Sequence, residues 1–119
     1  MQYLILIYGD EDGGAAATPD VVDRVMGEYW AYTTAINDEG VSLGGNALEA
    51  TSTAKTITVG DDGVTVTDGP FAETREQLGG YYLIEVATEA QAIDVAARCP
   101  GARYGRVELR PVRVFDTEG

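Results

Sequence analysis

A chain of 119 residues has the length of one domain, and with 45% hydrophobic residues it can bury a core rather than stay disordered. Its 20 acidic residues against 8 basic ones leave a formal net charge of -12, which repels phosphate backbones and anionic lipid, so no nucleic acid and no membrane are expected as partners. The absence of histidine removes the commonest general acid/base and metal ligand, and a single cysteine, Cys99, excludes an intramolecular disulfide and CxxC-type metal sites.

The acid excess reads as solubility or adaptation to a salty or crowded cytosol. The first element is Tyr3 to Tyr8, an apolar run too short to span a bilayer and without the basic flank of a signal. It is expected to be a strand in a cytoplasmic protein. Tyr3, Ile5 and Ile7 fall on one face and Leu4, Leu6 and Tyr8 on the other, so both faces want cover. Gly9 to Ala17 follows as an acidic loop. It lacks the carboxylate spacing of a calcium loop, so a solvated loop is expected and no metal site.

Thr18-Pro19-Asp20 combines a hydroxyl N-cap, a first-turn proline and an acid facing the helix dipole. The spacing of Val22, Met26, Tyr29, Thr33 and Ile36 predicts a helix to about Glu39 with that stripe buried, Trp30 and Tyr32 at its boundary and Gly40 as the stop. Val41 to Leu48 reads as a strand with a bulge or close backbone approach at Gly44-Gly45. Thr53 to Val59 and Val64 to Thr67 flank Gly60-Asp61-Asp62-Gly63 as a hairpin. Tyr81 to Val86 is a strand. Thr88 and Gln91 make a capping box for a second helix burying Ala92, Ile93, Ala96 and Ala97, ended near Cys99 by Pro100. Val107 to Phe115 is the last strand, with Pro111 at a bulge or edge.

The order strand, helix, strand, inserted hairpin, strand, helix, strand is the split βαβ pattern, so the expected fold is an α+β, ferredoxin-like βαββαβ sandwich occupying residues 1–119 as a single domain. Two helices cover one sheet face only. The apolar second face of the first strand therefore calls for another subunit, and a homodimer packed sheet on sheet is expected.

Thr67 to Tyr82 concentrates turn formers, carboxylates and aromatics. In Asp68-Gly69-Pro70-Phe71 the aspartate can bond amides ahead of it, glycine tolerates positive φ and proline fixes the next φ, leaving Phe71 to plug the core. Ala72 to Leu78 reads as an irregular charged loop, and Asp68 as its cap with Glu73, Arg75 and Glu76 in surface ion pairs. The stretch from Asp68-Gly69-Pro70-Phe71-Ala72-Glu73-Thr74-Arg75-Glu76-Gln77-Leu78 through Gly79-Gly80-Tyr81-Tyr82-Leu83-Ile84-Glu85-Val86 closely resembles the hallmark of the DGPF proteins, a branch of the YCII-related family. Tyr3 to Gly9 and Val107 to Val112 match the same family, so the resemblance spans essentially the whole chain. It implies a ferredoxin-like fold assembled as a dimeric α/β barrel. Relatives of this kind are mostly uncharacterised, some are linked to extracytoplasmic-function sigma factors, and the fold is shared with small monooxygenases and muconolactone-isomerase-like enzymes. The wider family is associated with a His-Asp active-site pair. Similar proteins often carry histidine where Tyr104 stands here, and a histidine mechanism is out of reach for this chain.

Two functions remain open. The first is a small-molecule-binding or enzymatic cleft between the sheet and the Asp68 to Tyr82 segment. Asp68 would be its catalytic base or anchor, Glu73 and one of Arg75, Arg98 or Arg110 would hold a ligand or anion, and Tyr8 and Tyr82 would line it. The second is a non-catalytic interaction module serving a protein partner, such as a transcription regulator. Cys99 reads as a small buried apolar group. No reaction, substrate or cofactor follows from the sequence.

Overall fold

The computed structural model describes residues 1–11 and 18–115. Most of the acidic loop expected over Gly9 to Ala17 lies outside the described residues. Strand β1 (Gln2–Gly9) opens the fold, followed by helix α1 (Pro19–Asp38), strand β2 (Ser42–Ala47), the hairpin strands β3 (Lys55–Gly60) and β4 (Gly63–Asp68), strand β5 (Gln77–Glu85), helix α2 (Glu89–Ala97), a short helical turn α3 (Gly101–Tyr104) and strand β6 (Arg106–Pro111). The main sheet has the order β2-β5-β1-β6 with antiparallel neighbours throughout. That is the ferredoxin-like arrangement of an α+β fold, with β3 and β4 paired only to each other as the inserted hairpin.

The helix starts follow their capping chemistry. The Thr18 hydroxyl accepts from the Val21 amide before Pro19, and Thr88 and Gln91 form a reciprocal capping box. The buried side of α1 is Tyr32 and Ile36, with Tyr29 packed against the core, whereas Val22 and Met26 are exposed. The expected stripe is therefore displaced around the helix at its N-terminal half. Apolar residues stand at both 22, 26, 30 and 25, 29, 32, 36, so the helical period alone allows either face. On α2 the core takes Ala92, Val95 and Ala96, while Ile93 and Ala97 face out, which moves the expected buried face by about a fifth of a turn.

Both helices cover one face of the sheet. Tyr3, Ile5 and Ile84 are buried beneath them with Tyr32, Ile36, Ala92, Val95 and Ala96. On the other face Leu4 lies opposite Leu83, and Leu6 opposite Tyr81, all four only half-buried. The glycine pairs lie inside strands. Leu43 forms the bulge that shifts β2 against β5 between Ser42 and Gly44, and Gly79 is the extra residue where β1 changes register between Ile7 and Tyr8. β5 thus begins at Gln77, earlier than Tyr81, because the glycine pair is a bulge within the ladder rather than a hinge before it. At the other end β6 stops at Pro111, short of the expected Phe115, since proline brings no amide and sits at the end of an edge strand.

Phe71 does not plug the core. It is 91% exposed, on the turn after β4. Cys99, by contrast, is buried as expected, against the helical turn that follows Pro100.

Candidate functional site

The helix-covered side of the sheet does not close completely. Between α1, the β1 end, β2 and the start of β5 lies a cleft of about 900 Å³. Its floor is glycine-rich because adjacent strands approach closely there. A Cβ on Gly45 would lie 2.5 Å from the Tyr81 carbonyl oxygen, and one on Gly101 2.6 Å from Ile7 and 2.7 Å from the Tyr29 hydroxyl. Gly79 is different: a Cβ there meets nothing nearer than the Ile7 carbonyl at 4.0 Å, so that position leaves open space on the cleft wall.

Tyrosines supply the cleft's functional groups. Tyr8, Tyr29, Tyr81, Tyr82 and Tyr104 all line it. Thr33 and Tyr82 share a 2.8 Å hydrogen bond between their hydroxyls, and Asn46 Nδ2 donates to the Tyr81 hydroxyl at 2.8 Å. The Tyr104 hydroxyl donates to the Glu28 carboxylate at 2.8 Å, beside Arg103, which reaches the same carboxylate at 3.0 Å. Tyr32 stands edge-on to Tyr82 with ring centroids 5.3 Å apart, fixing the Tyr82 ring from the core side.

Tyr29 and Tyr82 stand in surroundings that keep their hydroxyls neutral. Burial, reinforced by Cys99 and Tyr82, pushes the Tyr29 hydroxyl far above its ordinary value, and burial also raises Tyr82 against the opposing Thr33 hydrogen bond. None of the two is poised to become phenolate near neutral pH. Burial likewise raises the Cys99 thiol, which keeps it protonated and unreactive.

At the mouth stand Asp10 and Glu11. The Glu11 carboxylate accepts from the Thr51 amide and hydroxyl, both at 2.9 Å, and the Glu11 amide donates to Gln77 Oε1 at 3.1 Å. That carboxylate clasps the connection between β2 and β3 to the cleft rim. No lysine or arginine is among the described lining residues.

Of the seven residues singled out in the sequence, Tyr8 and Tyr82 line this cleft. Asp68 ends β4, with its side chain 83% exposed and ion-paired to Lys55 across the hairpin. Gly69, next to it, has φ +99°, the left-handed backbone that glycine allows, and its amide donates to the Ala54 carbonyl at 2.7 Å. Glu73 and Arg75 are exposed on the loop before β5. Arg98 makes a two-pronged 2.7 Å pair with Glu39 in a separate hollow of about 770 Å³ beside α2, and Arg110 pairs with Glu108 on the open sheet face. The structure therefore does not gather the carboxylates and arginines of the sequence reading into one place. The groups it does gather on the helix-covered side are Thr33, Tyr29 and Tyr82. The cleft's signal in the sequence is the pair of Gly-Gly steps, each followed closely by a polar or aromatic residue on strands that turn out to be neighbours.

Among the described residues no group of three His, Cys, Asp or Glu side chains is placed to hold a metal ion, and no described helix is long and apolar enough to cross a membrane. The family model of the YCII-related domain matches residues 1–116. An uncharacterised protein of Rhizobium meliloti (strain 1021) is 36% identical over 118 residues, covering 97% of this chain and 94% of the relative.

Proposed function

The chain belongs to the YCII-related domain family, and from that premise we propose that it is a small-molecule-binding dimer whose ligand occupies the tyrosine-lined cleft. The observation that carries this reading is the cleft's construction: an apolar, glycine-thinned space in which the Thr33 and Tyr82 hydroxyls are held in a fixed hydrogen bond. Its mouth has two carboxylates and no cation among the described lining residues, which favours a neutral or weakly cationic ligand over an anion. Thr33 and Tyr82 would orient the polar groups of that ligand, and Tyr29 would flank its apolar body. The DGPF segment then contributes through Gln77 to Tyr82, while Asp68 serves the hairpin rather than the ligand.

The half-buried strip of Leu4, Leu6, Tyr81 and Leu83 supports the second copy in this reading, because the helices leave that face of the sheet uncovered.

Titration with the neutral fluorescent amine N-phenylnaphthylamine tests the cleft. The expected result is a saturable fluorescence rise at one probe per chain that Gly79→Leu weakens by about tenfold or more, equivalent to about 1.4 kcal/mol. Circular dichroism should stay native, because a side chain at position 79 enters open space. Equal affinity in Gly79→Leu would remove the cleft as the binding site.

A further inference from the structure

The β3–β4 hairpin stands outside the two-layer body, and its side chains sort sharply by face. Ile57 pairs with Val66 and Val59 with Val64, placing four aliphatics on one face. Thr56 pairs with Thr67 and Thr58 with Thr65, placing four threonines on the other. That alternation is the pattern of a strand pair with one face on a core. Yet all four aliphatics are exposed, Val59 to 75%. A two-stranded ribbon with no third strand and no covering layer is only marginally stable in water, so the hairpin needs cover whenever the chain is folded.

The whole chain carries the same mark. A compact chain of this length has an expected radius of gyration of about 13.5 Å, whereas this one measures 16.8 Å. A folded monomer of this mass exposes about 6,200 Å², whereas this chain exposes 8568 Å². The surplus is of the order of what one subunit buries in an intimate dimer, above the ~800 Å² of a standard interface.

We propose that the apolar face of the β3–β4 hairpin packs on a second copy of this chain, as an arm of the dimer. The inference rests on the dimeric reading given above and adds the part that the arm plays in it. A second copy is the one partner present in equal amount whenever the chain is folded, which is the condition the hairpin's lack of a core imposes. Electrostatics agree. Between the Lys55–Asp68 pair at the root and Asp61-Asp62 at the tip the face carries no charge, so two chains of net charge -12 can meet there without opposing carboxylates. The root is also fastened to the cleft rim through the Thr51–Glu11 bonds, so an arm held by the partner holds the cleft's mouth in place as well.

Two measurements test this. First, a nitroxide is attached at Thr58→Cys, on the polar face, with Cys99 buried and spared from labelling. These copies are refolded from urea in equal mixture with methyl-labelled unmodified copies. Attenuated methyl signals in the unmodified copies are expected. Second, Val59→Asp should raise the dimer dissociation constant in sedimentation by about tenfold or more, about 1.4 kcal/mol. A dimer that sediments normally, shows no attenuation and keeps its affinity in Val59→Asp overturns the arm and leaves the dimer standing. A wild-type monomer at micromolar concentration overturns both.

Discussion

The Thr33–Tyr82 hydroxyl pair and the Arg98–Glu39 pair are the two residue-scale contacts with the clearest consequences. Tyr82→Phe leaves the ring and its edge contact with Tyr32 in place and removes one part-buried hydrogen bond. The loss should be about 1 kcal/mol, seen in thermal unfolding as a fall of roughly 4 °C. An unchanged melting temperature would mean that the two hydroxyls already satisfy themselves with water. Arg98 holds the Glu39 carboxyl below the usual carboxylate range, chiefly through its hydrogen bonds, which outweigh the opposing effect of burial, with the arginine's charge adding to them. A depressed folded-state pKa contributes stability above the unfolded pKa and loses it as pH falls through the folded value. Arg98→Ala should therefore be less stable than the parent in urea at neutral pH, and the gap should close as the carboxylate protonates. A gap that persists in acid would assign the loss to packing of the arginine stem instead. Neither pair was visible in the sequence, because each joins residues on elements far apart along the chain: 49 positions for the first and 59 for the second. Asp68 shows the converse. Its turn chemistry was legible, and Gly69 does adopt a positive φ, but the composition of a motif does not say whether its aspartate faces a cleft or, as here, a lysine across a hairpin.

Among the elements, cap and turn chemistry carried over to the structure better than amphipathic phase did. Thr18, Thr88 and Gln91 act locally, through bonds within three residues, so the sequence contains all that decides them. Which of two adjoining apolar stripes on α1 is buried depends on where the sheet lies, and that information is not local. The glycines divide by the same test. A Cβ on Gly105, at the entry to β6, would overlap the Tyr8 carbonyl oxygen and approach Gly9 Cα at 3.1 Å, both parts of the backbone that cannot swing away. Gly105→Ala should therefore destabilise by about 2 kcal/mol or more, as other overpacked positions do. Gly79→Ala, facing open space, should change stability by less than about 1 kcal/mol. Chemical denaturation of the two variants side by side settles the contrast. Equal effects would mean that β1 and β6 can part without loss at that point.

For the whole molecule, the element order was enough to give the antiparallel β2-β5-β1-β6 sheet, and the two-faced apolar pattern of β1 was enough to show that one layer of helices could not cover it. What the order could not show is where the hairpin lies, since its only strand pairing is with itself. Both uncovered surfaces are the ones the proposed dimer would cover, and the charge of the chain sets how that dimer would respond to salt. In the proposed dimer two subunits of net charge -12 would repel each other over the whole assembly, while the surfaces proposed to meet are largely apolar. Salt shortens the Debye length from about 10 Å at 0.1 M to about 3 Å at 1 M, which screens the repulsion and leaves the hydrophobic contact intact. The dimer dissociation constant should thus fall as sodium chloride rises, the opposite of an interface held by ion pairs. Sedimentation velocity across that range measures it directly. Affinity that weakens with salt would show that pairs such as Arg110–Glu108 exchange partners between subunits, and that the open face is held by charge rather than by its leucines.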